Sequence, residues 1–219
     1  MIKNLLFDLD GTLADPFLAF KNSMIHSFSK NSLPAPHDDL IRKSIGPPLQ
    51  VSLEKIFGLK PELAVQVMKD YRAHHADHCV DQYEFYPGAK NTLDTLKKSH
   101  RLFVATSKPH HFAIPILKNY AFDSYFISIY GSELDGLRST KTDLIQYILK
   151  TESLNPSETL MIGDREHDAI GAKNNQVKSL GVLWGFGSKE ELLTSGTDYQ
   201  AKDWPDLVQY ILKESKPRA

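Results

Sequence analysis

The chain has 219 residues, 41% hydrophobic and 24% charged, a balance that excludes a disordered protein. Lys and Arg number 26 against 27 Asp and Glu, so the basic excess expected of a nucleic-acid or anionic-membrane binder is missing. No apolar run approaches the roughly 18 residues of a membrane span; Cys79 is the single cysteine, and MIKNLLFDLD lacks a basic-then-apolar leader, so a reducing, cytoplasmic setting is expected.

The first apolar run, residues 3–9 (KNLLFDL), reads as a buried strand. Four more follow at 102–106 (LFVAT), 125–130 (YFISIY), 159–163 (TLMIG) and 179–184 (SLGVLW). All are short, rich in β-branched or aromatic residues, and bordered by Asp, Gly or Ser. Helical patterns at 88–99, 110–120, 141–152 and 167–176 separate most of them. A last helix is expected over about 205–213, with Pro205 in its first turn; beyond it, Lys213 to Arg218 is a polar, basic tail. Strand and helix alternating in this way predict an α/β, three-layer domain with a parallel sheet, whose ligands bind at the carboxyl ends of the strands.

Residues 15–85 break the rhythm. Phe17, Phe20, Met24 and Phe28 recur at helical spacing, and Pro61 and Glu62 open a helix carrying Leu63, Val67 and Tyr71 on one side. No strand is expected here. A crossover in a compact sheet is far shorter than this span. The division expected is a core of 1–14 and 86–219 with a helical cap of 15–85 inserted after the first strand.

The first strand ends in Asp8-Leu9-Asp10-Gly11-Thr12-Leu13. Residues i and i+2 of a strand share a side, so both carboxylates are expected to leave the strand end together, and Gly11 permits a turn. Paired carboxylates repel, which invites a hard divalent cation, above all Mg²⁺. By average residue frequencies such a hexapeptide arises by chance about once in a few thousand chains of this length.

This motif resembles the first motif of the haloacid dehalogenase-like hydrolase superfamily, and the other strand ends follow that family's order. Thr106 and Ser107 end the second strand. Lys141 follows the third, with Thr140 and Asp143 as a helix-capping pair and Arg138 as a nearby rival cation. Gly163-Asp164-Arg165-Glu166-His167-Asp168 ends the fourth. The resemblance covers essentially the whole chain and implies a Rossmann-like core with a type-one cap. It also implies Asp8 as nucleophile through an aspartyl-phosphate, and Asp10 as general acid and then base. Mg²⁺ would be held by Asp8, the Asp10 carbonyl, Asp164 and, directly or through water, Asp168. Thr106, Ser107 and Lys141 would bind the phosphoryl group, giving an acidic pocket countered by one metal and one lysine.

Members that remove halide lack the second acid, whereas an alkoxide leaving a phosphate ester needs a proton, so Asp10 points to a phosphatase. A phosphomutase would have to shield its intermediate from water, and a non-catalytic binding module would have no chemical reason to keep all six residue types. In the cap, Arg42-Lys43-Ser44-Ile45-Gly46-Pro47-Pro48-Leu49 suggests a rigid loop reaching over the site. Arg42, Gly46 and Pro47 are its candidate specificity residues. The chain is most similar to the phosphoglycolate phosphatase-like branch, while Ile45–Leu49, Tyr130–Gly136 and Gly163–Asp168 are also similar to bacterial 5′-nucleotidase-like proteins. Phosphoglycolate and a nucleoside monophosphate both stay open. The expected partner is a small phosphorylated metabolite, with no nucleic acid and no membrane, handled by a monomer or weak homodimer. His74, His75, His78 and Cys79 read as a solvated or half-packed helix face rather than a metal site, and His110-His111 as the start of a helix.

Overall fold

Apolar runs too continuous for a sheet with one wet face require helices on both sides, and this is what the computed structural model, which describes residues 1–216, contains. The chain runs β1 (Asn4–Phe7), β2 (Ala14–Asp15), α1 (Phe17–Lys30), α2 (Asp38–Lys43), α3 (Leu49–Lys55), α4 (Pro61–His78) and β3 (Glu84–Phe85). It continues α5 (Ala89–Leu96), β4 (Arg101–Pro109), α6 (His110–Asn119), β5 (Ser128–Ser132), α7 (Lys141–Thr151) and β6 (Thr159–Gly163). It ends α8 (Glu166–Asn174), β7 (Lys178–Val182), α9 (Lys189–Thr194), β8 (Tyr199–Ala201) and α10 (Trp204–Glu214). Arg218, at the end of the basic tail, lies outside the described residues. No described helix is long and apolar enough to cross a membrane.

The main sheet is parallel, in the order β5-β4-β1-β6-β7-β8. Strand residues alternate between two cores. Leu5, Phe7, Val104, Ile162 and Leu180 face α5, α6 and α10 through Leu93, Ile116 and Leu207. Leu6, Phe103, Ala105 and Met161 face α7 and α8 through Leu144, Ile148 and Ala172. The three-layer α/β core is therefore as expected. The order also reverses at β1: the chain adds β4 and β5 on one side and then returns to lay β6 on the other. That reversal leaves a crevice at the carboxyl ends of β4, β1 and β6.

Between β1 and α5 the chain builds α1 to α4 around a third core of Phe20, Met24, Phe28, Ile41, Leu53, Val67 and Tyr71. No strand is expected within 15–85, yet β2 and β3 pair antiparallel across its two ends, Ala14 opposite Phe85 and Asp15 opposite Glu84. Two-residue strands carry no alternation to read. For the same reason β8 and α9 have no counterpart among the predicted elements. The first strand stops at Phe7 rather than at residue 9 because the chain turns at once: the Leu13 and Ala14 amides both donate to the Leu9 carbonyl. β5 starts at Ser128 rather than at 125, since Asp123–Tyr125 forms a single 3-10 turn.

Asp70 on α4 ties the helical unit together. Its Oδ1 lies 2.7 Å from Lys30 Nζ, and its Oδ2 accepts from the Asn31 and Gln66 side-chain amides. The Lys30 bond above all, with those amides and against the effect of burial, holds its carboxyl down at about 2. A lowered carboxyl stabilises the fold above its ordinary value of 3.8 and loses that contribution as pH falls through about 2. Lys30 is largely exposed, so Asp70→Asn is expected to cost only about 1–2 kcal/mol at neutral pH. Urea unfolding at pH 7 and near pH 2 measures the effect, and the cost is expected to shrink at the lower pH.

Candidate active site

β1 is the central strand and stops one residue short of the first acid. The Asp8 amide continues the ladder by donating to the Ile162 carbonyl at 2.8 Å, which fixes Asp8 between the ends of β4 and β6. On the β4 side lies Thr106, buried, its hydroxyl accepting from the Lys108 amide at 3.2 Å. Ser107 follows, its carbonyl accepting from the Ser132 hydroxyl at 2.9 Å. On the β6 side lies Asp164, fully buried.

Asp8, Asp164 and Asp168 bring one carboxylate oxygen each to within 4.8 Å of one another, and among the described residues they are the only such group of metal-ligating side chains. Asp164 Oδ2 accepts from the Phe186 amide at 2.7 Å, and Asp168 Oδ2 from the Arg165 amide at 3.2 Å. The loops approach Asp164 closely at two glycines and with the Thr12 hydroxyl, 3.5 Å from its Oδ1. Gly11 has φ +81°, and a Cβ there would sit 2.2 Å from Asp164 Oδ2; at Gly185 a Cβ would meet the same carboxylate at 2.4 Å. Burial first, and then the Asp8 and Asp168 charges, push the Asp164 carboxyl well above the ordinary carboxylate range. Burial likewise raises Asp168, against the pull of Lys141.

Lys141 stands in the first turn of α7, after Thr140, whose hydroxyl accepts from the Asp143 amide as the predicted capping pair requires. Its ammonium reaches Asp168 Oδ1 at 2.5 Å, Asp8 Oδ2 at 3.0 Å and the Ala105 carbonyl at 2.8 Å. Burial alone would lower its pKa, but the Asp168 and Asp8 carboxylates hold it above the ordinary lysine value. Arg138 is no rival for this place, because it pairs with Glu133.

The two acids of the first motif do not act as one pair. Both border the cavity, but Asp10 lies beyond the strand end, its carboxylate outside the metal-ligating cluster and 2.7 Å from Lys108 Nζ. Its Oδ1 is buried without a partner. Burial raises the Asp10 carboxyl while Lys108 opposes the rise. Lys108 itself is held above its ordinary value by Asp10 and Tyr71 against the effect of burial. The expectation of a single lysine is thus corrected: a second sits at the site. The Thr106-Ser107-Lys108-Pro109 run shows that lysine in the sequence but not where its side chain goes.

A cavity of about 350 Å³ opens above these residues, walled by Phe20, Tyr71, Met68 and Phe112 and by the loop that includes Gly46 and Pro47. Arg42 is not on that wall; its guanidinium lies 3.8 Å from the centroid of the Phe17 ring. His75 and Cys79 correct the reading of a solvated or half-packed helix face. Both are buried, since α4 turns them onto α1, where the Ser23 hydroxyl lies 3.2 Å from each. His74 remains outside, stacked on His26 with centroids 4.3 Å apart. His110 starts α6 as expected, 3.2 Å from Glu133.

Residues 5–182 match the family model of the haloacid dehalogenase-like hydrolases. The chain is 37% identical over 209 residues to a 5′-nucleotidase of Pseudomonas aeruginosa, covering 95% of each chain. It is 24% identical to a phosphoglycolate phosphatase of Vibrio parahaemolyticus, covering 96% of each. A predicted phosphatase from Clostridium acetobutylicum has a crystal structure that superposes with a TM-score of 0.93 at 36% identity, covering 97% of this chain and all of that one.

The donor set fits a hard divalent cation. Four carboxyl groups face only two ammonium groups at the strand ends, and every converging donor is an oxygen. Saturating divalent cation is therefore expected to stabilise the fold by about 2–3 kcal/mol at a hundredfold excess over Kd. Thermal unfolding with and without chelator reads this as a rise of roughly 5–10 °C, and Asp164→Ala is expected to abolish the rise.

Proposed function

Since the chain belongs to the haloacid dehalogenase-like hydrolase family, we propose that it is a Mg²⁺-dependent phosphatase that works through an aspartyl-phosphate at Asp8 and takes nucleoside monophosphates. It is a phosphoric monoester hydrolase, and the finer reading rests on this chain's own residues.

Asp8 attacks phosphorus: its Oδ2 faces Lys141 and its Oδ1 is fixed by the Leu9 amide at 2.7 Å, so the carboxylate is oriented before substrate arrives. Thr106, Ser107 and Lys141 hold the phosphoryl oxygens as charge redistributes among them. Asp10 gives its proton to the ester oxygen as the P–O bond breaks, then takes one from the water that cleaves the aspartyl-phosphate. Asp8, the Asp10 carbonyl and Asp164, supported by Asp168, would hold Mg²⁺, which when bound neutralises the repulsion between nucleophile and phosphate.

Residues 15–85 serve as a cap on the core of 1–14 and 86–219. Contacts at two places support a closed arrangement: Arg72 of α4 donates to the Leu134 carbonyl at 2.8 Å, and Arg165, beside Asp164, donates to the Ile45 carbonyl. A Cβ at Gly46 would meet the Arg165 side chain at 2.8 Å, so the loop approaches closely because residue 46 is glycine. Closure of this kind excludes bulk water from the intermediate.

The observation that favours a nucleoside over glycolate is the wall of the cavity. Phe20, Tyr71 and Phe112, with Met68, line it, and most of its surface is apolar. His75 is kept neutral, by burial first and by Lys108 next. Glu54, Glu133 and Asp135 also border the cavity, while Lys108 is engaged by Asp10 and Arg72 by Leu134. The aromatic rings offer an uncharged base a stacking surface, while Arg72 and Lys108 bring the cavity's positive charge. The similarity to a 5′-nucleotidase points the same way. A cytoplasmic location accords with a single buried cysteine.

Phosphate release across nucleoside monophosphates, phosphoglycolate and sugar phosphates tests the reading. The expected result is metal-dependent turnover with at least a roughly tenfold preference in kcat/KM for a nucleoside monophosphate over phosphoglycolate, about 1.4 kcal/mol of transition-state binding. Asp8→Asn is expected to fall to background on every substrate. A preference for phosphoglycolate would reverse the substrate assignment, and full activity in Asp8→Asn would remove the mechanism.

A further inference from the structure

Lys108 has a place in the site that neither the strand pattern nor the four motifs give it. The register between β4 and β5 is regular from Phe103 to Thr106 and then shifts before Pro109. An irregularity of this kind puts extra residues into one strand and re-aims their side chains. Here the extra residues are Ser107 and Lys108. The backbone of Lys108 is held at both ends: its amide donates to the Thr106 hydroxyl, and its carbonyl lies against Gly131, where a Cβ would come within 2.3 Å. Its ammonium is nearly buried, 2.7 Å from Asp10 Oδ2 and 5.4 Å from the centroid of the Tyr83 ring. Tyr83 is in turn fixed by a 2.9 Å contact between its hydroxyl and His75 Nε2.

Asp10 is thereby gripped on one side only. Oδ2 has Lys108, while Oδ1 is buried and has no protein partner. The Lys108 contact orients the Asp10 carboxyl at the edge of the cavity. We propose that Lys108 is a positioning residue for leaving-group protonation: by gripping Oδ2 it holds the Asp10 carboxyl in the orientation from which a proton passes to the departing ester oxygen. This rests on the reading of Asp10 as the general acid. In the step, the bond from Asp8 to phosphorus forms and the bond from phosphorus to the ester oxygen breaks. The Asp10 carboxyl proton moves to that oxygen, and the carboxylate left behind stays paired with the Lys108 ammonium. The proton returns from the water that later splits the aspartyl-phosphate.

Leaving groups separate this role from substrate binding or simple scaffolding. An alkyl phosphate such as a nucleoside monophosphate needs the proton, whereas 2,4-dinitrophenyl phosphate expels a stable anion and does not. Lys108→Met is expected to lose about 100-fold in kcat/KM, which reports formation of the aspartyl-phosphate, on the alkyl ester, with the loss shrinking at least tenfold on the dinitrophenyl ester. In an Asp10→Asn background the same substitution is expected to add no leaving-group-dependent loss. Should Lys108→Met not fold, Lys108→Gln keeps a donor in place and is expected to show a weaker form of the same contrast; thermal unfolding verifies both variants. Equal losses in kcat/KM on the two esters would overturn the proposal. If Asp10→Asn discriminates between the esters and the Lys108 variants do not, only the role of Lys108 falls. If Asp10→Asn does not discriminate either, the general-acid reading itself falls.

Discussion

Negative charge crowded at the end of a buried strand is the constraint from which the rest of this structure follows. Asp8, Asp164 and Asp168 converge with Asp10 close by, and the protein supplies Lys141 and Lys108 against them. Burial first, and the Asp8 and Asp168 charges next, push the Asp164 carboxyl up, and burial raises Asp168 against the pull of Lys141. Two ammonium groups do not neutralise four carboxyls. On the proposed reading a divalent cation completes the arrangement and a phosphoryl group is brought against it.

The fold meets this constraint by topology. A parallel sheet sends its strand ends to one edge, and the reversal of order at β1 opens a crevice there with β4 and β6 as its sides. Each strand end contributes a different charge or donor, so the set is assembled from residues far apart in sequence. The loops afterwards carry glycine where the acids need room: Gly11 and Gly185 both approach Asp164. Phe20, Met68 and Tyr71 of the helical unit line the cavity above the crevice, beside the charged Glu54 and Arg72, and contribute shape and dryness. Dryness in turn strengthens the electrostatic contacts beneath it.

Much of this was legible in the residues. Asp8, Lys141, Asp164 and Asp168 each follow a strand whose apolar run is plain, Thr106 lies within one, and parallel topology obliges such positions to meet. Asp10 was legible as an acid but not by its direction, because Gly11 turns the chain and the strand has already ended at Phe7. Lys108 was hidden for a related reason: its side chain is aimed by a break in register, and alternation carries no sign of a bulge. The Phe186 amide, which holds Asp164, leaves no mark in the sequence except the paired glycines around it. His75 and Cys79, by contrast, extend the spacing of Leu63, Val67 and Tyr71 at every fourth residue, so their burial could have been read from α4 itself. The small elements β2, β3 and β8 are set by tertiary pairing and have too few residues for any period.

The central claim is that this crowded strand end uses Asp8 to take the phosphoryl group onto the protein. Acid quenching of a single turnover with radiolabelled phosphomonoester, followed by peptide mapping, tests it directly. The account predicts a transient covalent label on the peptide containing Asp8, formed only with a divalent cation present. Phosphate release at the full rate with no label on that peptide at any time would contradict it.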